Sequence, residues 1–363
     1  MAKNKTQAES RVEELGNKIV SQIKKGKNPE IEFTLRNLSN IIYDTKKKIL
    51  KLGDKTATRS FFNVAHSKKF LQTAEVAAYI KKELLKTGKH DNLRAVFYGV
   101  KRTIPGTKVN LVDEQTESDS VIEDLEVITN MSREQMHVNA NKNGSVAGMV
   151  VVQDRGDTID WSKLGSGGWS IPSNVEEIKF KSVKAKYILY MEKAATWERL
   201  NEDKFWDKNK CIIMSSQGQT TRGIRRLLQR LYEEHKLPIY VLTDFDIYGA
   251  YIYSVIKYGS INLAHASEKL TIPGVKFLGI TYEDIEKYGL QKHLIKMKDT
   301  DRARIKQVSE YAWFKDNKEW QKQFAMMKKL DAKAEIQALT VRGISFISEK
   351  YLPDKIKNKE FID

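Results

Sequence analysis

Between residues 186 and 259 the chain reads KYILYMEK (186–193), ATWERLNEDKFW (195–206), CIIMSS (211–216), TTRGIRRLLQRLYEE (220–234), PIYVLTDFD (238–246) and IYGAYIYSVIKYG (247–259). Short, almost wholly apolar runs alternate here with longer amphipathic ones. Apolar runs of this length, bounded by polar turns, predict strands, and the stretches between them carry apolar residues at helical spacing. A βαβαβ alternation with strands apolar on both faces predicts a parallel, doubly wound sheet covered on both sides. The expected class is therefore α/β for this half. DTDRARIKQVSEYAW and EWQKQFAMMKKLDAKAEIQAL further on predict a mainly helical C-terminal part.

Chemistry in open parallel sheets gathers just beyond the carboxyl ends of the strands. Glu192 closes the first of these strands, and Asp244 and Asp246 close the third. If those two strands are neighbours, three carboxylates meet at one edge, with Asp244 and Asp246 projecting to the same side of extended backbone. Converging anions repel unless a cation compensates them, and hard oxygen donors with open positions suit Mg²⁺. Each acid taken alone reads as a helix cap. All three at corresponding strand ends read as a metal site.

Upstream of this region the pattern is helical. Val12, Leu15, Ile19, Val20 and Ile23 predict an amphipathic helix at 8–25, which could serve as a partner contact, a dimer strap or simple packing. Phe70, Leu71, Ala74, Ala77, Ala78, Ile80, Leu84 and Leu85 predict a second, closed by Gly88. An acidic segment leads into a further helix, Ser132 and Gln135 have capping-box spacing, and VAGMVVV (146–152) is expected as a buried strand in a hairpin turning at Asn143-Gly144. Compact helices followed by a hairpin describe a winged helix-turn-helix module, an α+β unit that lays a helix in a DNA groove. Within it, NLRAVFYGVKRT (92–103) packs Leu93, Val96, Phe97 and Val100 on one face. Tyr98 points away, and Arg94, Lys101 and Arg102 fall near it on the wheel. Such cations attract phosphodiesters and ease formation of a phenolate, whose attack would give a phosphotyrosyl ester. The alternative is an ordinary surface tyrosine, one of fifteen.

With 63 Lys+Arg against 47 Asp+Glu, the net charge of +16 favours polyanionic partners, nucleic acid first. A single cysteine, Cys211, excludes a disulfide framework and a cysteine zinc site. No apolar stretch nears the roughly 20 residues of a bilayer span, and the opening residues lack a secretory core, so an intracellular chain without membrane contact is expected. No GxxxxGK[ST] loop occurs, and six scattered histidines show no ligand spacing. Gly165-Ser-Gly167-Gly168 reads as flexible linker, and Arg222, Arg225, Arg226 and Arg230 as either a solvated helix face or a phosphate contact.

NLRAVFYGVKRT, ILYMEKAATWERL, SSQGQTTRGIRRLLQRL, YVLTDFDIYGAYIYSVIKYGS, KFLGITYEDI and KAEIQAL follow one another in a specific order, with SNIIYD and RSFFNV before them. In these segments the chain resembles the topoisomerase VI A-subunit family, which also contains the meiotic double-strand-break transesterase. The resemblance implies an N-terminal extension at 1–65, a winged-helix domain at 66–152 carrying the nucleophile, a linker at 153–182 and a Toprim domain with a helical end at 183–363. It implies that Tyr98 is the nucleophile with Arg94 beside it, and that Glu192, Asp244 and Asp246 hold Mg²⁺. It further implies a homodimer of A subunits, joined in an A₂B₂ assembly to a GHKL-type ATPase B subunit, with double-stranded DNA as substrate. Such an assembly makes a staggered break with tyrosines on the 5′ ends, the tyrosine and metal site of one break coming from different A subunits. Its place would be cytoplasmic and nucleoid-associated. The chain departs from the family pattern at Ala95 and Ala194, where acids are usual, and at Phe245 and Ile247, where DGDPxG has Gly and Pro. Rival expectations are a Toprim nuclease or primase-like enzyme without a covalent intermediate, and a non-catalytic winged-helix DNA-binding protein.

Overall fold

Apolar periodicity sets the elements of the first part of the chain. In this computed structural model residues 6–140 and 142–362 are described. They fall into two units: the described residues of Met1–Ile42 with Leu52–Asn141, and those of Tyr43–Lys51 with Lys142–Asp363. In the first unit the Thr6 hydroxyl accepts the Glu9 N–H at 3.2 Å and opens α1 (Gln7–Lys24). Ala8, Val12 and Leu15 are buried, whereas Val20 and Ile23 stay exposed, so the expected apolar stripe is covered only along its first half. β1 (Glu30–Thr34) and β4 (Thr56–Ser60) pair antiparallel, and the chain between them forms a ribbon of β2 (Ile41–Asp44) and β3 (Ile49–Leu52) whose residues Tyr43–Lys51 belong to the second unit. Asn63 caps α2 (Val64–Tyr79), which runs on through a π-helical turn at Ile80–Leu85.

β5 (Asp91–Asn92) leads into α3 (Leu93–Val100). Eight residues cannot sustain an isolated helix, so α3 depends on tertiary packing. Val96, Phe97 and Val100 provide it by joining Leu15, Phe70, Val76, Val121 and Leu125 in one core, at about 1.5–3 kcal/mol per buried side chain. After α3 the chain turns back on itself. Thr103 bridges Asn110 antiparallel, and the Leu111 N–H donates to the Arg102 carbonyl at 2.8 Å. α4 (Gln115–Thr129) then starts from a capping box between Glu114 and Glu117, and β6 (Val138–Asn139) pairs in parallel with β5.

β6 does not form the hairpin expected across Asn143-Gly144. β7 (Ser145–Gly148) pairs instead with β10 (Trp169–Ser170) and β13 (Ile212–Ser215), both antiparallel. Gly144 permits this approach, since a Cβ there would stand 2.2 Å from the Ser215 carbonyl oxygen. VAGMVVV is also not one strand. Gly148, at φ +150°, breaks it, and β8 (Val150–Asp154) departs into a three-stranded sheet ordered β11-β8-β9 with β9 (Asp157–Asp160) and β11 (Lys179–Val183). The segment expected as a linker at 153–182 thus carries strands. Its Gly165–Gly168 loop is pinned by Asn201, whose side-chain amide donates to the Gly165 and Ser166 carbonyls at 3.1 Å each.

The second unit is built on a six-stranded sheet ordered β10-β7-β13-β12-β14-β15. β12 (Ile188–Met191) lies between β13 and β14 (Ile239–Leu242), parallel to both, and β15 (Lys276–Gly279) is parallel to β14. The parallel core is therefore as the alternation predicts. Its antiparallel edge is supplied by residues upstream of the repeating pattern. Both β12 and β13 are buried at every position. α5 (Ala194–Glu202), α6 (Phe205–Lys208), α7 (Arg222–His235), α8 (Ile247–Lys257) and α9 (Ser267–Leu270) connect these strands. α10 (Tyr282–Tyr288), β16 (Ile295–Lys296), α11 (Asp299–Ser309), α12 (Ala312–Lys315), α13 (Lys318–Leu330), β17 (Ala332–Lys333) and α14 (Leu352–Asn358) complete the helical C-terminal part.

The arginine face of α7 is neither solvated nor free for phosphate. Arg225 is 2% exposed and donates from Nε to the Leu270 carbonyl at 3.0 Å, and burial with Arg222 alongside depresses its pKa to about 9. Arg226 pairs with Glu176, and Arg230 with Glu234 and the Val175 and Ile178 carbonyls. These side chains hold the 175–178 segment and α9 against α7.

Candidate active site

In the first unit, the Asn92 side chain accepts the Ala95 N–H at 3.0 Å and starts α3. Burial of Val96, Phe97 and Val100 then turns Tyr98 outward, where it is 59% exposed. Gly99 allows α3 to lie against α2, for a Cβ at that position would be 2.3 Å from the Tyr79 ring. The Arg94 guanidinium carbon is 5.9 Å from the Tyr98 ring centroid. A hydrogen bond and the charge of Arg94 lower the phenol's pKa, with Lys101 adding a smaller push the same way. The basic stripe read from the helical wheel is only partly realised. α3 ends at Val100, Lys101 is extended and sits 5.0 Å over the Phe97 ring, and Arg102 pairs with Glu75. Arg94 alone of the three is engaged directly with the tyrosine.

In the second unit, the pairing of β12 with β14 sets Met191 opposite Leu242. The strands carrying the three acids are therefore neighbours, and the Glu192 N–H faces the Leu242 carbonyl at 3.4 Å. Beyond Leu242 the loop is clamped on both sides. The Thr243 N–H donates to the Gly279 carbonyl at 2.9 Å, while Phe245 exchanges backbone hydrogen bonds of 2.8 and 3.1 Å with Ala334. Phe245 and Ile247, the bulky departures from the family pattern, are both 1% exposed. They anchor the loop inward and leave Asp244 and Asp246 at the edge.

Burial raises the Glu192 carboxyl to about 7, with the charges of Asp244 and Asp246 pushing further and Lys193 opposing them. Asp244 is raised by burial, against a hydrogen bond from Lys193 and another from the Ile336 N–H at 2.9 Å. Burial raises Asp246 as well, although its Oδ1 caps α8 by accepting the Gly249 N–H at 2.7 Å. Carboxyls at one sheet edge whose proton affinity is raised by burial and by neighbouring carboxylate charge are hard oxygen donors of the kind a divalent cation takes one or two at a time. Among the described residues no group of three or more His, Cys, Asp or Glu forms a ready-made metal cage. An ion at this edge would therefore be held by one or two of the carboxylates and completed by water.

Sequence reasoning named the three acids but not their neighbours. Lys193 Nζ lies 2.7 Å from Asp244 Oδ2, 3.2 Å from Glu335 Oε2 and 3.1 Å from Gln337 Oε1. Glu335 and Gln337 arrive from the far C-terminal part through the pairing of Phe245 with Ala334. Only the KAEIQAL segment hinted at them, and nothing in its local pattern assigns a role.

Among the described residues no helix is long and apolar enough to cross a membrane. Residues 187–356 match the family model for the Toprim domain of the topoisomerase 6 A-subunit/Spo11 family. Residues 68–138 match the type IIB DNA topoisomerase model, and 141–184 the all-beta domain of the DNA topoisomerase VI alpha subunit. The last span coincides with β7 to β11. Among curated relatives, the A subunit of type 2 DNA topoisomerase 6 from Pyrococcus abyssi is 44% identical, covering 97% of this chain and 94% of that protein. The Pyrococcus horikoshii protein of the same name is 42% identical with the same coverage. The A3 subunit of DNA topoisomerase 6 from Oryza sativa subsp. indica is 34% identical over 97% of this chain and 78% of its own length. With the type IIB topoisomerase, all-beta and Toprim models matched in that order along the chain, and relatives aligned over nearly its whole length, the chain belongs to the topoisomerase VI A-subunit family of type IIB DNA topoisomerases.

Proposed function

We propose that Tyr98 is the nucleophile of this topoisomerase and that Glu192 and Asp244 hold the metal, with Asp246 a weaker or second ligand. The observation that carries the reading is Tyr98 itself, an exposed phenol on a short, firmly packed helix with its pKa lowered by the adjoining Arg94. Tyr98 Oη attacks a DNA phosphorus, and the bond to the 3′ oxygen breaks. The phenol proton is lost to solvent, the 5′ phosphate stays on the tyrosine, and the 3′ oxygen takes up a proton as a hydroxyl. Arg94 lowers the cost of the phenolate and neutralises charge on the phosphoryl oxygens. Mg²⁺ bound at the carboxylates would supply Lewis-acid polarisation and a clamp for the 3′ side. Asp244 is oriented for such a ligand by the Ile336 N–H, and Asp246 by its cap on α8. Because the phosphotyrosyl ester keeps the energy of the phosphodiester, the 3′ hydroxyl reseals the strand by the reverse step without ATP.

The first unit supports a winged-helix reading in which α2 to α4 form the helical body and the 102–111 turn-back takes the wing's place after α3. The relatives are named as A subunits, and ATP use belongs in this reading to a separate GHKL-type B subunit, in an A₂B₂ assembly on double-stranded DNA. Tyr98→Phe, mixed with supercoiled DNA, Mg²⁺ and the B subunit, should reduce protein-linked 5′ ends to background while DNA affinity stays within about twofold. Persisting adducts would refute the assignment. Cut DNA bearing free 5′ phosphates and no protein would favour a Toprim nuclease instead.

A further inference from the structure

An ammonium group has three N–H donors and no acceptor, so its partners record where it can go. At Lys193 all three are accounted for: Asp244 Oδ2 at 2.7 Å, Gln337 Oε1 at 3.1 Å and Glu335 Oε2 at 3.2 Å. The Lys193 and Asp244 side chains are 25% and 10% exposed, whereas Glu335 is 51% exposed. Asp244 thus already binds a cation, one tethered to the chain beside Glu192. A divalent ion on Asp244 cannot share Oδ2 with an ammonium, because two cations at one oxygen repel strongly in a partly buried setting. The other two acceptors offer a retreat. Glu335 and Gln337 can keep the ammonium when Asp244 releases it, and the Ile336 N–H between them donates to Asp244 Oδ1 at 2.9 Å.

We propose that Lys193 is a tethered place-holder for the metal, neutralising Asp244 when no divalent ion is bound and, when one binds, giving up Asp244 while drawing back onto the Glu335 and Gln337 it already touches. Lys193 is then a positioning residue, and Glu335 and Gln337 form its second station. The inference rests on the reading that Asp244 holds metal, and the test separates the two. Mn²⁺ alone is titrated into the full chain at fixed pH and ionic strength and followed by the electron paramagnetic resonance signal of the free ion, with circular dichroism confirming each fold.

Lys193→Met removes the competitor and should tighten Mn²⁺ about fivefold. Gln337→Leu, which changes no charge, removes part of the retreat and should weaken it about two- to threefold; in the Lys193→Met background the same change should have no effect. That loss of effect cannot come from general electrostatics. If Asp244→Asn binds Mn²⁺ as the unaltered chain does, the metal reading fails and the inference with it. If Asp244→Asn abolishes binding while Lys193→Met binds no tighter, the place-holder is overturned and the metal reading stands. Should Lys193→Met not fold, Gln337→Leu decides, since unchanged affinity there also overturns the proposal.

Discussion

Tyr98 shows how the surroundings of one exposed residue change its acidity. Its phenol is lowered by the Arg94 hydrogen bond and charge, so a larger phenolate fraction exists at a given pH than for a free tyrosine. Arg94→Ala should therefore move the rising limb of adduct formation to higher pH, and a pH–rate profile that does not shift would separate Arg94 from the phenol. Position on the helical wheel was enough to nominate Tyr98 and Arg94. It overstated Lys101 and Arg102, because a wheel assumes a helix that here stops at Val100. Phe245 makes the converse point. Against the family pattern it looks like a disturbance of the acidic loop, yet it is buried and its backbone is paired with Ala334. Phe245→Ala should cost about 3–5 kcal/mol in urea or thermal unfolding, as for other buried aromatics cut back to alanine. A near-neutral result would mean that the loop is not anchored through this ring.

At the scale of elements, helix packing and buried charge set how firmly the candidate site residues are carried. Gly99 is where α3 meets Tyr79 of α2. Gly99→Ala improves helix propensity, but its methyl overlaps the ring, so overpacking of about 1–3 kcal/mol should win and lower the melting temperature. Adduct formation should fall with it, since α3 carries Tyr98. A second tie is the ion pair of Asp284, at the start of α10, with Lys355 of α14, both under 4% exposed. Lys355 Nζ donates to the two carboxylate oxygens at 2.9 and 2.7 Å, and the Tyr351 hydroxyl donates at 2.9 Å. Lys355→Met strands a buried carboxylate and should cost about 3–5 kcal/mol, part of it recovered by Asp284→Asn in the same chain. The helices themselves were legible from periodicity and caps. Their partners were not, because residues 284 and 355 are adjacent only after folding.

For the whole molecule, net charge makes a prediction independent of any single site. A duplex-binding surface that neutralises six or more phosphates should lose about 10³-fold or more in affinity between 50 and 200 mM salt, measurable by fluorescence anisotropy. A flat salt dependence would remove nucleic-acid backbone as the main partner. By itself the sequence determined the main helices, the order of the α/β elements and the parallel core, and it nominated the three carboxylates and the phenol to which chemistry is assigned in the proposed function; it missed the strands at 153–182 and the break at Gly148. Period, capping and strand-end position are local properties, carried by residues close together along the chain. Tertiary structure alone decided that β12 and β14 are neighbours, that β7 and β10 form the antiparallel edge, that Arg225 and Arg230 of α7 are buried on backbone carbonyls, and that Lys193 meets Glu335 and Gln337. Those outcomes depend on which buried backbone groups and charges find partners across long sequence separations, and such pairing is settled only when the chain closes around its core.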